Sequence, residues 1–459
     1  MFDLDKSPKS LEPNFPLGLT WDKKTSRRIY GPPGTGKTTT LIEIAKQAIQ
    51  KGMSPENIGY FAFTNVAADE AKEKILEAVK DSDSKFANFS TLHSLTTRMG
   101  GTEGKQLCQR DHLQKFDLNI GAREEWLRPG DPTSMVVRPI HPVLSEYSIM
   151  INKKLSEPSF SGKSLDDAQM LLSKFFKSPI TSNQILEFAE KYYISYENFK
   201  LENNLADFND VVFSVAKDEF PEEKIPTFEL LIIDEAQDLS ALQWDVVTKL
   251  SKKAKETILA GDDDQAIMVS FGAAPKLFNE FPTSLPDEVL STSWRLPKKL
   301  KSYVDRNVNF RDDVGRKEKI WVENPDAKFD GQITNSILTG DDPSDPLKSR
   351  SITLGDLVRI IANRRHQEWL VMAPTRATCE KVSNGLRALN VPHFLHRQDV
   401  ISSDSKIFVQ TIHTSKGMGI ENVAVVLLTR GDDFLLEDKR LLYVALTRAK
   451  KEMFIVQKN

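Results

Sequence analysis

The sequence predicts an α/β protein with two lobes, each built on a mainly parallel sheet. Three observations carry this prediction. Short apolar runs alternate with helical patterns in two separate stretches of the chain, as in strand-helix-strand units. Two of the apolar runs end directly in polar clusters, which is typical of the carboxyl edge of a parallel sheet. A glycine-rich loop stands between a strand and a helix near the start of the first stretch.

The elements follow from the spacing of apolar residues, which is helical in the helices and continuous in the short buried strands. In the first stretch the predicted strands and helices are Arg28–Tyr30, Thr39–Lys51, Ile58–Phe63, Val66–Val79, Phe228–Ile233, Ala241–Leu250 and Thr257–Ala260. In the second stretch they are Trp369–Ala373, Arg376–Leu389, Ile407–Thr411, Val423–Leu428, Glu437–Thr447 and Met453–Val456. Two sets of strands imply two lobes.

The alternation weakens in two places. Turn formers at Gly100–Gly104 and Arg128–Ser134 are followed by helical patterns at Leu165–Phe176 and Ile185–Tyr193, which predicts a helical insertion. Residues Arg311–Arg350 are also weakly patterned and indicate a small remnant insertion. The predicted organisation is a first lobe over 1–97 and 201–290, a helical insertion over 98–200, and a second lobe over 291–459 with the remnant at 311–350.

The composition is that of an ordinary globular protein, with 28% charged residues, 39% hydrophobic residues and a formal net charge of −3. Any surface for a polyanion must therefore be a local patch. Cys108 and Cys379 lack metal-ligand spacing and fit a reducing compartment. No apolar run approaches the roughly 20 residues of a membrane span, and Met1–Trp21 has Pro and Asp where a signal peptide is apolar. We expect a cytoplasmic protein, or a nuclear one if the source is eukaryotic, with no membrane partner.

A phosphate-binding loop follows the first predicted strand. In such a loop the backbone N–H groups point at a phosphate, Lys37 reaches the β- and γ-phosphates, and the Thr38 hydroxyl can ligate Mg²⁺. The order strand, loop, helix argues against a chance glycine-rich turn. The predicted nucleotide-binding residues are Gly31, Pro32, Pro33, Gly34, Thr35, Gly36, Lys37, Thr38 and Thr39.

Two further clusters end predicted strands. Leu230–Ile233 leads directly into Asp234 and Glu235; we assign Asp234 to Mg²⁺ and Glu235 to the attacking water, because a solvated acidic turn does not explain the apolar run before it. Leu259 and Ala260 lead into Gly261–Gln265, where Gln265 can sense the γ-phosphate by hydrogen bonding. By itself this last signal is weak, since Asp and Gln are common in turns.

The order of these blocks resembles superfamily 1 DNA helicases of the UvrD/Rep type. Besides the blocks already described, the resemblance rests on sequence runs that span almost the whole chain in the family's order. These runs are Ala62–Ala68, Ser90–Ser94, Asp207–Asp210, Trp294-Arg295, Thr411–Gly417 and Leu442–Lys450.

The resemblance implies two RecA-like P-loop domains that use ATP and Mg²⁺ to move 3′ to 5′ on single-stranded DNA and to unwind duplex DNA. Arg295 and Arg448 of the second lobe would reach the γ-phosphate when the lobes close, a role that suits planar cations; either arginine alone reads equally well as a surface ion pair. The implied DNA contacts are Thr64, Asn65, His93, Thr411 and His413. The expected partners are single-stranded DNA, tailed duplex DNA and a possible protein loading partner, and we expect a monomer.

Other functions stay open on the sequence alone. The chain can be a translocase that strips proteins from single strands, or that serves a repair or nuclease complex, without unwinding. A nucleotide-switched DNA-binding module with little turnover is a further alternative. The small size of the second lobe does not indicate which of these functions the chain has.

The chain departs from the family in three places. After Gln265, the segment Ala266–Ala273 lacks the expected aromatic residues and arginine, and Phe271 occupies the arginine's position. Phe271 is either a relocated base stacker or a core residue. No glutamine precedes Gln47 to read adenine, which leaves Arg27, Arg28 or the backbone for that task. Glu421 is displaced by two positions from the acid expected to hold the ribose.

Overall fold

The computed structural model describes residues 24–79, 86–109, 112, 115–116, 142–154, 181–310, 315–334, 353–395, 405–428 and 438–457. Within these residues the chain forms two α/β lobes, each around a six-stranded sheet. The predicted fold class is therefore confirmed. No helix in this part of the chain has the length and apolar character needed to cross a bilayer.

The first lobe is built on a sheet in which every pairing is parallel. Its strands, together with the separate two-stranded pair β4 and β5, are β1 (Thr25–Tyr30), β2 (Ile58–Ala62), β3 (Phe89–Thr91), β4 (Gln106–Leu107), β5 (Leu205–Ala206), β6 (Leu230–Ile233), β7 (Glu256–Gly261) and β8 (Glu288–Val289). Its helices are α1 (Lys37–Gln50), α2 (Asn65–Val79), α3 (Leu92–Arg98), α4 (Pro142–Lys153), α5 (Ser182–Glu202), α6 (Phe208–Ala216), α7 (Ala241–Lys253) and α8 (Pro275–Glu280).

The strand order of the first sheet is β3-β2-β6-β7-β1-β8. Strands β6, β7 and β1 are direct neighbours, so the polar residues that follow each of them meet at one edge of the sheet. Strands β6 and β7 are buried along their full length, because helices cover both faces of a parallel sheet. This burial explains why both strands are continuous apolar or small-residue runs in the sequence.

The second lobe repeats the pattern with the strand order β11-β12-β10-β13-β14-β9, again parallel throughout. Its strands are β9 (Gln332–Thr334), β10 (Trp369–Ala373), β11 (Phe394–Leu395), β12 (Ile407–Thr411), β13 (Ile420–Leu427) and β14 (Ala449–Gln457). Its helices are α9 (Lys298–Asn307), α10 (Leu354–Asn363), α11 (Arg376–Ala388) and α12 (Lys439–Leu446).

Differences from the predicted elements lie at edges and ends and in helices that we did not predict from the sequence, among them α3, α6, α9 and α10. Strand β13 begins at Ile420, before the predicted Val423, because Ile420 already pairs with Ala449 ahead of a register shift. The polar Glu421 and Asn422 at that shift hide the start of the strand in the sequence. The edge strands β8 and β9 are too short to show a pattern in the sequence; β9 lies in the weakly patterned stretch and extends the second sheet. The predicted helix at Ile185–Tyr193 lies within α5, and that at Leu165–Phe176 lies outside the described residues. The domain boundaries stay predictions.

Candidate active site

The glycine-rich loop connects β1 to α1 and is shaped for an anion. Gly34 and Gly36 have φ of 74° and 83°, a region that glycine enters without a Cβ clash. Helix α1 begins after Gly36 with no side-chain cap. Its first N–H groups, which no intrahelical partner can satisfy, therefore face the loop and suit a phosphate.

Lys37 and Thr38, at the start of α1, contact the two acids that follow β6. Lys37 Nζ lies 2.6 Å from Glu235 Oε1, and the Thr38 hydroxyl donates a 2.8 Å hydrogen bond to Asp234 Oδ2. Although burial acts against it, the two carboxylates raise the pKa of Lys37. A partly buried hydroxyl beside a buried carboxylate forms an all-oxygen pair of the type that Mg²⁺ prefers. The residues present therefore fit a magnesium-bound nucleotide.

Glu235 is held in an unusual backbone conformation. Its φ of 53° is rare for a residue other than glycine, and such strain concentrates at functional sites. Gln237 Nε2 donates to Glu235 Oε2 at 2.6 Å, and Lys416 Nζ lies 3.6 Å from the same oxygen. Burial raises the pKa of Glu235, but Lys37 and Lys416 outweigh it and hold the pKa well below its usual range. Glu235 is therefore ionised, as a base for water must be.

Gln265 lies at the carboxyl end of β7 and contacts both lobes. Its Nε2 donates to Asp262 Oδ2 at 2.7 Å, and its Oε1 accepts a 2.8 Å hydrogen bond from Arg448 Nη2. Its backbone oxygen accepts from Lys416 Nζ at 2.8 Å. Two cations of the second lobe thus contact one residue of the first.

Arg295 follows a segment that lies directly on the phosphate loop. The Ser293 hydroxyl donates to Pro33 O and the Trp294 N–H donates to Gly34 O, both at 2.8 Å. A Cβ on Gly34 would collide with the Cβ of Arg295. Arg295 Nη1 donates to Thr447 O at 3.2 Å, which brings Arg295 beside Arg448.

The two guanidinium groups make the cleft rich in positive charge. Burial lowers the pKa of Arg295 to about 10, and burial together with Arg295 lowers the pKa of Arg448 to about 9. Among the described residues, the acceptors that these guanidinium groups contact are neutral oxygens. Two desolvated cations whose hydrogen-bond acceptors in the described part of the chain are neutral favour the binding of an anion between them.

Four residues that we did not assign from the sequence contribute to the site. Gln237 and Lys416 hold Glu235, as described above. Gly419 makes room for Arg295, because a Cβ there would lie 2.6 Å from Arg295 Nε. The Trp294 ring is 38% exposed and lies next to Gly36, where a flat base can rest on it. Lys416, Trp294 and Gln237 stand inside blocks that the sequence already singles out, Gln237 in the run Asp234–Asp238; Gly419 gives no separate signal.

The residues predicted to contact DNA fall into two groups. Thr64 and Asn65 lie at the start of α2, where the Thr64 hydroxyl oxygen accepts from the Ala67 N–H at 3.2 Å and Asn65 is exposed. Phe271 of the first lobe is 40% exposed, and its ring lies edge-on to His413 of the second lobe with 5.8 Å between centroids. These residues are accessible from solvent.

The other predicted DNA contacts point inward. His93 is buried edge-on against Phe208, with 5.3 Å between ring centroids, and burial lowers its pKa to about 4. Thr411 is buried at the end of β12 and hydrogen-bonds Thr414. In this arrangement their side chains support the loops and do not form the surface.

Several other residues have structural partners. Asp207 caps α6 in a reciprocal capping box with Asp210, and Lys200 pairs with both carboxylates. Arg27 pairs with Glu256 and Arg28 with Asp287. These ion pairs engage both arginines on β1, and a role for either in reading adenine stays a prediction. Glu421 is exposed on β13.

The fold and this site define a P-loop nucleotide-binding protein whose site is completed by arginines from a second lobe. The chain belongs to the UvrD/REP helicase family, since the UvrD/REP helicase N-terminal domain matches residues 20–286. The UvrD-like helicase C-terminal domain matches residues 406–456. The resemblance seen in the sequence is confirmed.

Curated relatives agree with this membership. The chain is 23% identical over 458 residues to a "Probable DNA helicase" of Mycoplasma pneumoniae. This alignment covers 93% of this chain and 80% of the relative. It is 26% identical over 314 residues to the "ATP-dependent DNA helicase Rep" of Buchnera aphidicola, covering 63% of this chain and 43% of that relative. It is 23% identical over 320 residues to the "ATP-dependent DNA helicase PcrA" of Staphylococcus aureus, covering 65% of this chain and 40% of that relative. The chain thus spans less than half the length of two of these three.

Proposed function

We propose that this chain is an ATP-dependent DNA helicase that moves 3′ to 5′ on single-stranded DNA and unwinds duplex DNA. The observation that carries the proposal is the joining of the two lobes at one site. Lys37 and Glu235 of the first lobe lie at the same seam as Arg295 and Arg448 of the second. Family membership supports ATP as the substrate, DNA as the track and the 3′ to 5′ direction.

Each site residue has a role in the proposed hydrolysis. The helix α1 N-terminus and Lys37 bind the phosphates, and Glu235 accepts a proton from the attacking water. Arg295 and Arg448 stabilise the negative charge that spreads over the transferring phosphoryl oxygens. Thr38 and Asp234 would hold Mg²⁺, which neutralises phosphate charge when bound.

Movement along DNA follows from the position of the same residues. Cleavage removes the γ-phosphate that the arginines share with the first lobe, so the attraction across the seam weakens and the lobes separate. Thr64 and Asn65 lie on one lobe and His413 on the other, and the Phe271 ring of the first lobe contacts His413. A strand held by both lobes is therefore advanced once per cycle, with Phe271 stacking on a base.

The test measures the rate of ATP hydrolysis with single-stranded DNA, RNA, blunt duplex, and duplexes with a 3′ or a 5′ tail. Strand displacement is measured with the tailed duplexes. We expect strong stimulation by single-stranded DNA and strand displacement only with the 3′ tail, and neither for Lys37→Ala. Displacement of streptavidin from a biotinylated 5′ end without strand displacement would instead indicate a translocase that does not unwind. A rate that no nucleic acid changes would contradict the proposal.

A further inference from the structure

Three consecutive carboxylates, Asp262, Asp263 and Asp264, are buried directly after β7. A carboxylate oxygen from each lies within 4.8 Å of the others. Three acids cannot remain ionised together in a buried site unless cations compensate them. The identity of those cations decides what this acidic turn does.

Two cations from residues 315–322 compensate the turn. Lys319 is fully buried, and its Nζ lies 3.0 Å from Asp262 Oδ1 and 3.0 Å from Asp264 Oδ2, and also contacts Asp263. Arg316 binds Asp264 with two hydrogen bonds of 2.6 and 2.8 Å. The Lys319 ammonium thus lies among the three carboxylates and compensates their charge.

The segment 315–322 is fixed to the first lobe, although it follows α9 of the second. The Asn279 side chain donates to Gly315 O at 2.9 Å, and the Lys317 backbone N–H donates to Asp263 Oδ2 at 3.0 Å. These anchors define where the Lys319 side chain enters the acidic turn. The burial of its ammonium is therefore a property of the fold and not a chance rotamer.

Asp262 connects Lys319 to the candidate site. One oxygen of Asp262 receives Lys319, and the other accepts the hydrogen bond from Gln265 Nε2. An ionised carboxylate only accepts hydrogen bonds and a guanidinium only donates them. The Gln265 amide must therefore turn its nitrogen to Asp262 and its oxygen to Arg448, which is the arrangement observed.

We propose that Lys319 is a positioning residue for ATP hydrolysis, because its ammonium holds the carboxylates of the acidic turn together and Asp262 orients the Gln265 amide toward Arg448. This inference rests on the proposed ATP hydrolysis. Without Lys319, the three carboxylates repel one another, so Asp262 moves away from Gln265 Nε2 and no longer prevents the amide from turning over. The amide nitrogen would then face the Arg448 guanidinium, two donors would meet, and the contact across the seam would be lost.

The first variant is Lys319→Met, with Lys317→Met as its matched control. Lys317 lies on the same segment, but it pairs with Asp287 at a partly exposed position. We expect kcat of DNA-stimulated ATP hydrolysis to fall roughly 10- to 100-fold in Lys319→Met, with KM for ATP within about twofold of wild type. In the Lys317→Met control, kcat and KM for ATP should both stay within about twofold of the wild-type values.

Two double variants separate positioning from stability and also serve if Lys319→Met does not fold. Lys319→Met with Asp263→Asn, and Lys319→Met with Asp262→Asn, each leave two carboxylates beside Arg316, so both have the net charge of the wild-type cluster. We expect both double variants to have a Tm close to that of the wild type. Only the Asp263→Asn double retains the carboxylate that orients Gln265, so only it should recover kcat.

The outcomes are distinct. Equal recovery of kcat in both doubles, or an unchanged kcat in a folded Lys319→Met, would overturn the positioning role while the wild type still hydrolyses ATP. A folded wild type that hydrolyses no ATP with any nucleic acid would instead overturn the proposed function, and this inference with it.

Discussion

Arg448 Nη2 donates a 2.8 Å hydrogen bond to Gln265 Oε1, so a guanidinium of the second lobe contacts the residue that ends the acidic turn of the first. Lys416, also of the second lobe, donates to the Gln265 backbone oxygen at 2.8 Å. The two contacts close the seam around Glu235, which Lys416 approaches to 3.6 Å. We therefore expect a change in charge beside Glu235, where a phosphate would bind, to act on both lobes through Gln265.

The Glu235→Gln variant should bind ATP but lose turnover by several orders of magnitude, because the amide cannot accept a proton from water. The contact between Lys37 and position 235 loses its ionic attraction but keeps a hydrogen-bond acceptor, so nucleotide binding persists. Single-turnover hydrolysis and equilibrium binding of a fluorescent ATP analogue measure the two effects separately. Glu229→Gln is the matched control, since Glu229 pairs with Lys255 at the surface. Unchanged steady-state hydrolysis would refute the role of Glu235.

The Arg448→Lys variant should lower kcat about 100-fold or more, because an ammonium cannot reproduce the planar donor set that contacts Gln265 and faces the phosphate position. DNA binding without nucleotide should change little, since Arg448 is buried. The measurements are ATP hydrolysis and DNA binding by fluorescence anisotropy. Lys450→Gln, two residues away and exposed, is the control. Equal loss in both variants would show that the effect is not specific to the guanidinium.

The Gly419→Ala variant should lower kcat about tenfold with little loss of stability. The added Cβ would lie 2.6 Å from Nε and 3.0 Å from Cζ of Arg295, so the end of that flexible side chain must move away from its place beside Thr447. A shift of about 1 Å in a catalytic cation is enough for such a loss. Gly355→Ala, in α10, is the control, because its Cβ meets only the Thr353 hydroxyl at 3.6 Å. ATP hydrolysis and Tm are measured for both, and wild-type turnover in Gly419→Ala would contradict the steric argument.

The free energy of unfolding should decrease as the pH is lowered, because His93 is buried in its neutral form. Burial lowers its pKa from 6.5 to about 4 in the folded protein, so between these values the unfolded chain binds a proton that the folded chain does not. The free energy of unfolding should therefore decrease as pH falls from 6.5 toward 4, by on the order of 2 kcal/mol at pH 5 for this group. Urea unfolding at pH 7 and pH 5 measures the change.

The control for that pH effect is His93→Gln, which keeps a polar side chain and does not titrate. It should lose less stability than wild type between pH 7 and pH 5. Equal losses would show that His93 is not buried in its neutral form.

Much of the fold and part of the site follow from the sequence because parallel strands bring their carboxyl ends together. Strands β1, β6 and β7 are neighbours, so motifs that are far apart along the chain, at Lys37, Asp234 and Gln265, converge without any tertiary information. The family blocks then placed Arg295 and Arg448 on the opposite side of the seam. The convergence of these residues at one seam was therefore predictable from the sequence, and their assignment to the nucleotide stays a prediction.

The remainder depends on packing that no periodic pattern records. Lys319 comes from a weakly patterned stretch and gains its place only from the anchors of residues 315–322. His93 stands in a family block, but the packing of α3 against Phe208 turns its ring inward. The exposure of Phe271 is determined by a single turn of 3₁₀-helix at Val269–Phe271 that is too short for a sequence signal.

The Phe271→Ala variant should weaken binding of single-stranded DNA by about 1–3 kcal/mol per stacked base, whereas Phe271→Trp should retain it. The ring is 40% exposed and lies edge-on to His413, so truncation removes a stacking surface at the seam without opening a core cavity. Fluorescence anisotropy with an oligothymidine strand measures the affinity, and Tm shows that the fold is intact. Val269→Ala, in the same turn and similarly exposed, is the control and should bind as wild type does. A wild-type affinity in Phe271→Ala would show that Phe271 does not stack on a base, and the contact between Phe271 and His413 would then serve only to join the lobes.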